Sequence, residues 1–375
     1  MRKAILYAAA EERGAIFAER WRGQQPLMCV VLAHTDTCMI AGLSAAGVSE
    51  ELRPLTPAAD AEVVLDGIPW CLPELPSNPL GAPGPAGITR AAARLGGFDV
   101  GFVGLGLRVW PQVACVHIDT RPGGNIEYGQ AVPHASELLE AGYALGRDLA
   151  RRSHCVVLGE SVPGGTTTAL ALLLALGYAA DGRVSGSQPG NAHALKTRVA
   201  HAALRAAGLH VGEGLVDPLG SVAQLGDPMQ PVVAGAALGA VGSGALVLLA
   251  GGSQMLAVAA LIKAVGGPQP LDEIAVGTTR WIIADPAADV LGLAHDISPT
   301  LPILAANLDF STSRHTPLHA YEQFMVKEGV GAGGACVVAV LSSQATIEQL
   351  EATIDEVYDQ LLRSEERGVR SEGLG

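Results

Sequence analysis

Cys155-Val156-Val157-Leu158-Gly159-Glu160-Ser161-Val162-Pro163-Gly164-Gly165-Thr166-Thr167-Thr168, followed by an Ala/Leu run to Gly177, is the stretch that decides the fold class. A short apolar run gives way to a Gly-rich turn and then to a helix-forming segment. The pattern predicts a strand over 155–158, a loop over 159–165 and a helix over 166–177 that Gly177 stops. Outward from this unit the same rhythm recurs. Met28 to Leu32 and Val113 to Ile118 read as strands. Residues 58–65, 135–151, 192–207, 254–265 and 347–363 read as helices. Strands alternating with helices predict an α/β protein built on a mainly parallel sheet.

The composition suits close packing of helices on a sheet. Of 375 residues, 49% are hydrophobic but only 4% aromatic, so Ala, Val and Leu must fill the interior. A formal net charge of −13 without any Lys/Arg cluster argues against a nucleic-acid partner. The six cysteines, at 29, 38, 71, 115, 155 and 336, form no Cys-x-x-Cys pair, which argues against a zinc site or a disulfide scaffold and for reduced thiols in the cytoplasm. Glu11, Glu12 and Arg13 interrupt the apolar start of the chain, so no export signal is expected. The uncharged run Val232 to Ile262 is long enough to span a bilayer, but the Gly251-Gly252-Ser253-Gln254 break and the lack of interfacial aromatics favour two buried helices joined there, with no membrane partner.

Residues 72–87, rich in Pro and Gly, read as an ordered loop or lobe connection. Thr56-Pro57-Ala58-Ala59-Asp60-Ala61-Glu62 reads as a capped helix start with Thr56 as N-cap. Toward the carboxyl end, Ile347, Leu350, Ile354, Val357, Leu361 and Leu362 make an amphipathic stripe, so the last helix should pack peripherally and the tail beyond Arg363 should fray.

Three segments carry chemistry. The loop Gly159 to Thr168 offers backbone amides, threonine hydroxyls and a helix start, a combination suited to an anion, although an ordinary helix cap accounts for it equally. Gly251-Gly252-Ser253-Gln254 precedes a second helix and could present further amides, with a tight turn as its plainer reading. Lys327-Glu328-Gly329-Val330-Gly331-Ala332-Gly333-Gly334 sets one carboxylate beside a backbone that can approach a ligand closely, which makes Glu328 a candidate base or an exposed turn residue. Upstream, the polar segment Asp309 to Glu322, with Ser311 and Ser313, could line a ligand. His315 and His319 within it lack the Glu-x-x context of a zinc helix, so no metal is expected.

Taken in order, these segments resemble the nicotinate-nucleotide:dimethylbenzimidazole phosphoribosyltransferase (CobT) family, especially a divergent CobT-like branch with Thr-Pro-Ala-Ala-Asp-Ala-Glu and Lys-Glu-Gly-Val-Gly-Ala-Gly-Gly sequences. The family loop Gly-Glu-Met-Gly-Ile-Gly-Asn-Thr-Thr is similar to Gly159 to Thr167, with Gly165 in place of its asparagine. Its Gly-Gly-Phe-Glu turn is similar to Gly251 to Gln254, and its Gly-Glu-Gly-Thr-Gly-Ala segment to Lys327 to Ala332.

The resemblance implies a three-layer α/β/α fold with a Rossmann-like sheet and a smaller helical lobe. Residues 1–345 would form the catalytic unit and 346–375 the last helix and tail. It also implies a homodimer without cofactor that moves 5-phosphoribose from nicotinate mononucleotide to a benzimidazole-type base, giving α-ribazole phosphate for cobalamin lower-ligand assembly. Catalytic roles fall on Glu328 and Glu160. Substrate binding falls on Gly159, Gly164, Gly165, Thr166, Thr167, Lys196, Gly251, Gly252, Ser253, Gly329 and Gly331, joined by Ser311 and Ser313. The replaced asparagine and Phe-Glu pair leave open a nucleotide-binding regulatory protein on the same scaffold.

Overall fold

The computed structural model describes residues 2–47 and 49–372. Its strands are β1 (Ile5–Ala9), β2 (Leu27–Ala33), β3 (Val100–Leu105), β4 (Val116–Asp119), β5 (Cys155–Ser161), β6 (Leu246–Ala250), β7 (Ile274–Thr279) and β8 (Ile303–Ala306). The helices are α1 (Glu11–Trp21), α2 (Thr56–Leu65), α3 (Ala86–Gly96), α4 (Ala135–Arg152), α5 (Gly165–Ala175), α6 (His193–Ala206), α7 (Pro218–Leu225), α8 (Met229–Val241), α9 (Ser253–Gly266), α10 (Arg280–Ile283), α11 (Val290–Ile297), α12 (Ala332–Ser343) and α13 (Ile347–Glu372).

One eight-stranded sheet runs β1-β8-β7-β6-β5-β2-β3-β4. Every neighbouring pair is parallel except β1 with β8. Alternate residues of each inner strand feed opposite layers: Cys29, Val31, Val156 and Leu158 face one core, and Met28, Val30, Cys155 and Val157 the other. Helices α4 to α9 and α11 cover the first face. Helices α1, α2, α3, α12 and α13 cover the second. Burial on both faces is why these strands read as continuous apolar runs.

Small residues set the layer spacing. A Cβ on Gly142 or Gly146 of α4 would fall on the carbonyl oxygens of Val232 or Ala236 of α8, and one on Gly235 or Gly239 of α8 on those of Leu139 or Tyr143 of α4. The two backbones therefore touch directly.

Several expectations change. The run Val232 to Ile262 is not two helices joined at a glycine break, because β6, fully buried in mid-sheet, lies between α8 and α9. Among the described residues no helix is long and apolar enough to cross a membrane. β4 begins at Val116 rather than Val113. Thr56 is not an N-cap: the 3-10 turn Arg53–Leu55 has already set the chain in helical conformation, and Thr56 is the first helical residue. Leu362 is exposed although its stripe partners Ile347, Leu350, Ile354, Val357 and Leu361 are buried. α13 runs to Glu372 instead of fraying after Arg363, and the expectation for 373–375 lies outside the described residues.

The strand order fixes where a ligand can sit. From β2 the chain moves outward to β3 and β4, then returns to β5 on the other side of β2 and continues to β8. At such a reversal the connections leave the sheet in opposite directions, which opens a crevice beyond the carboxyl ends of β2 and β5.

Candidate functional site

A cleft opens at that reversal, and Glu160 and Ser161 at the end of β5 form part of its wall. The loop after β5 turns sharply at Gly164, whose φ of 82° is a left-handed conformation, and the backbone of Cys38 lies against it. The start of α5 thereby brings Gly165, Thr166 and Thr167 to the cleft, and the start of α9 brings Gly252, Ser253 and Gln254. Two helix N-termini converge on one space and aim their positive ends at it; in α5, Gly165 N donates to Val162 O at 3.0 Å and Thr167 N to Gly164 O at 2.9 Å, which leaves the Thr166 amide for a ligand.

Lys196 from α6 enters the same space. It is 3% exposed, and its Nζ has no hydrogen-bond acceptor among the described residues. A Cβ on Gly186 would meet Lys196 Nζ at 2.5 Å and Thr166 Oγ1 at 3.5 Å, which places ammonium and hydroxyl around one spot. Burial, and then the charge of Lys327, lowers the Lys196 pKa to about 8. The hydroxyl of Thr167 is buried without a partner among the described residues. An unneutralised buried ammonium between two helix starts is a place for an anion.

Glu328 faces this cradle from the turn before α12. Its carboxylate accepts from Gly333 N at 3.0 and 3.2 Å, from Gly329 N at 3.3 Å and from Thr278 Oγ1 at 3.3 Å. Burial pushes its pKa up and these hydrogen bonds pull it back, to about 7. Glu160 accepts from Val162 N at 3.1 Å. Burial and the Glu328 charge push its pKa up to about 8. Two neighbouring carboxyls near neutrality can hold and release a proton at physiological pH.

The segment bearing Glu328 is strained. Val326, Lys327 and Val330 adopt φ of 68°, 65° and 55°, a region that β-branched residues avoid. Hydrogen bonds from Thr279 Oγ1 to Lys327 O (2.6 Å), Val326 N to Ser187 O (2.9 Å) and Val330 N to Glu160 O (2.9 Å) hold it in place. Beneath it, the fully buried Lys327 reaches Asp285 at 2.6 Å and Asn191 Oδ1 at 2.8 Å. Burial opposes ionisation of Asp285, but hydrogen bonds from Lys327, Asn191 and Ser185 bring its pKa down to about 2. This pair fixes the Glu328 turn and the wall at Ser185 and Gly186 to one another.

The expected site residues divide into three groups. Glu160, Gly164, Gly165, Thr166, Thr167, Lys196, Gly252, Ser253, Glu328 and Gly329 all line the cleft. Ser253 is largely occupied, since its Oγ accepts from Ser185 N at 2.7 Å. Gly159 and Gly331 lie behind the wall, where a Cβ on Gly331 would crowd Met28, Ala250 and the Gly159 Cα, and Gly251 also stands outside the lining. Ser311 and Ser313 lie away from the cleft: Ser313 Oγ donates to Asp355 at 2.6 Å, and Arg314 pairs with Asp359. The polar density of that segment serves to clasp α13. Sequence reasoning passed over Asp60, Asn191, Ser185 and Asp285. Only Asp60 lay in a quoted motif, and there it looked like an ordinary helix residue.

A family model described as DBI_PRT, Phosphoribosyltransferase, matches residues 81–276, ending before Glu328. A UPF0284 protein of Methanothermobacter thermautotrophicus is 40% identical over 339 residues, covering 90% of this chain and 93% of that one. Another, from Gloeobacter violaceus, is 43% identical over 363 residues, covering 95% and 93%. Among solved structures, CobT from Thermus thermophilus matches with a TM-score of 0.58 at 19% identity, over 91% of this chain and 87% of that chain. A nicotinate-nucleotide-dimethylbenzimidazole phosphoribosyltransferase structure from the same organism gives 0.56, also at 19% identity, over 93% and 88%. At that identity the likeness is one of fold.

Proposed function

This chain belongs to the phosphoribosyltransferase family, in the divergent CobT-like branch of the UPF0284 proteins, and we propose that it moves 5-phosphoribose from nicotinate mononucleotide to a benzimidazole-type base. The observation that carries this reading is the pairing, within one cleft, of an anion cradle (Lys196 and the starts of α5 and α9) with the near-neutral carboxylate of Glu328.

The 5-phosphate sits in the cradle, where Lys196 neutralises it and the helix amides fix its orientation. That anchor holds the anomeric carbon beside the acceptor nitrogen and removes much of the entropic cost of their meeting. As the new C–N bond forms and the bond to nicotinate breaks, Glu328 takes the proton from the other ring nitrogen of the acceptor. Its negative charge also favours the cationic character that develops on ribose and base. Glu160, largely protonated beside it, keeps a second negative charge from building up there.

The test is a chromatographic assay of nicotinate release and riboside phosphate formation from nicotinate mononucleotide with a panel of fused imidazole bases. The wild type should give product with at least one base. Glu328→Gln should lower kcat about 100-fold or more while changing donor affinity only a few-fold. An unchanged rate removes Glu328 from the mechanism. Donor binding without product from any base would favour a regulatory role on this scaffold.

A further inference from the structure

Asp60 on α2 has no place in the scheme above, yet it is only 4% exposed and lines the cleft. One of its oxygens, Oδ2, accepts from Ser161 Oγ at 2.7 Å. No described residue donates to Oδ1. The hydroxyls at hand are committed elsewhere: Tyr321 Oη donates to Pro83 O at 3.0 Å, and Tyr358 Oη to Gly84 O at 2.9 Å. Burial pushes the carboxyl up to about 7, and no cation stands near enough to offset it.

The charges of the cleft are segregated. Glu160 feels Glu328 and Asp60, whereas Lys196 feels Lys327 and Asp285. One side thus suits the phosphate, and the other presents the carboxyls of Glu160 and Asp60 to whatever lies beside Glu328.

We infer that the acceptor is a fused imidazole carrying a second N–H donor, an amine on its other ring, and that Asp60 Oδ1 receives that donor. This rests on the transfer reading above, in which Glu328 meets the imidazole edge. An acceptor with an amine satisfies Glu328 at its imidazole edge and Asp60 at the other. An acceptor whose far edge is methylated presses hydrocarbon onto Asp60, removing its water without supplying a donor, and a buried polar group left in that state is costly. Asp60 is accordingly a specificity residue, and adenine and 5,6-dimethylbenzimidazole are the discriminating probes.

The experiment compares the two bases on the full chain in the presence of nicotinate mononucleotide, with affinity read by calorimetry and product by chromatography. The wild type should bind adenine about tenfold or more tightly than dimethylbenzimidazole. Asp60→Val should lower that ratio by about tenfold or more, whereas Asp60→Asn, which keeps an acceptor oxygen and the Ser161 bond, should hold it within about threefold. Equal or tighter binding of dimethylbenzimidazole by the wild type, an unchanged ratio in Asp60→Val, or no binding of either base overturns the inference. If Asp60→Val does not fold, the wild-type preference together with Asp60→Asn decides it. Preferential binding of adenine without product leaves the role of Asp60 standing and sinks the transfer reading instead.

Discussion

Glu328 and Lys196 set a narrow working range between them. Glu328 acts as a base only when ionised, and burial has raised its pKa to about 7. In the proposed mechanism Lys196 holds phosphate only when protonated, and burial has lowered its pKa to about 8. On the proposed mechanism kcat/KM should climb as the pH rises through the first value and fall as it rises through the second, giving a bell with its top between them. A pH–rate profile checks this, and a flat response from about pH 6 to about pH 9 would contradict it. The Gly-rich loop after β5 and the Glu-Gly-Val-Gly turn were legible in the sequence as backbone that can approach a ligand, although a helix cap and an exposed turn accounted for them equally; only the fold shows that both line one cleft. Asp60, Asn191 and Asp285 were not legible, because each gains its meaning from a partner about 100 residues away, as Ser161 is for Asp60 and Ser185 for Asp285.

The pair α4 and α8 shows how an element can depend on absent side chains. Gly146 faces the carbonyl of Ala236, and no rotation of a methyl group can relieve that contact, because it is the Cβ itself that collides. Gly146→Ala should therefore destabilise the protein by about 1–3 kcal/mol despite the better helix propensity of alanine. Urea unfolding measures this, and a more stable variant would show that the helices can separate without loss. The same small residues explain why β6 escapes a reading of the sequence. Leu246 to Ala250 is flanked by Ala- and Gly-rich helices of similar hydropathy and is buried on both faces, so neither period marks its ends. The turns on either side of it, Gly242-Ser243-Gly244 and Gly251-Gly252, were the signal that could have marked it. Thr56 misleads for a related reason: it is a good capping residue in a place where a preceding 3-10 turn has already begun the helix.

At the scale of the whole molecule, the buried acids place a sign on stability. Burial pushes Glu160 to about 8, Glu328 and Asp60 to about 7 and Asp227 to about 6, all above their ordinary values. The unfolded chain releases these protons first. Stability is therefore greatest below the ordinary carboxylate values and is lost as the pH rises through the raised ones. The melting temperature should fall between about pH 5 and about pH 8, and calorimetry that found it rising there would refute this account of the site. Asp285 works in the opposite sense, but its depressed value of about 2 keeps its contribution constant across that window. The alternation of strands and helices announced the α/β class, whereas the strand order did not follow from the sequence, since it turns on two pairings, β2 with β5 and β1 with β8, that join strands far apart along the chain. That order has a consequence for synthesis. β1 leaves the ribosome about 300 residues before β8, its one sheet neighbour among the described residues. Meanwhile β2 waits for β3 and β5. β1 must therefore wait unpaired while the roughly 300 residues up to β8 are made, so this edge of the sheet closes after the pairing of β2 with β3 and β5 has become possible.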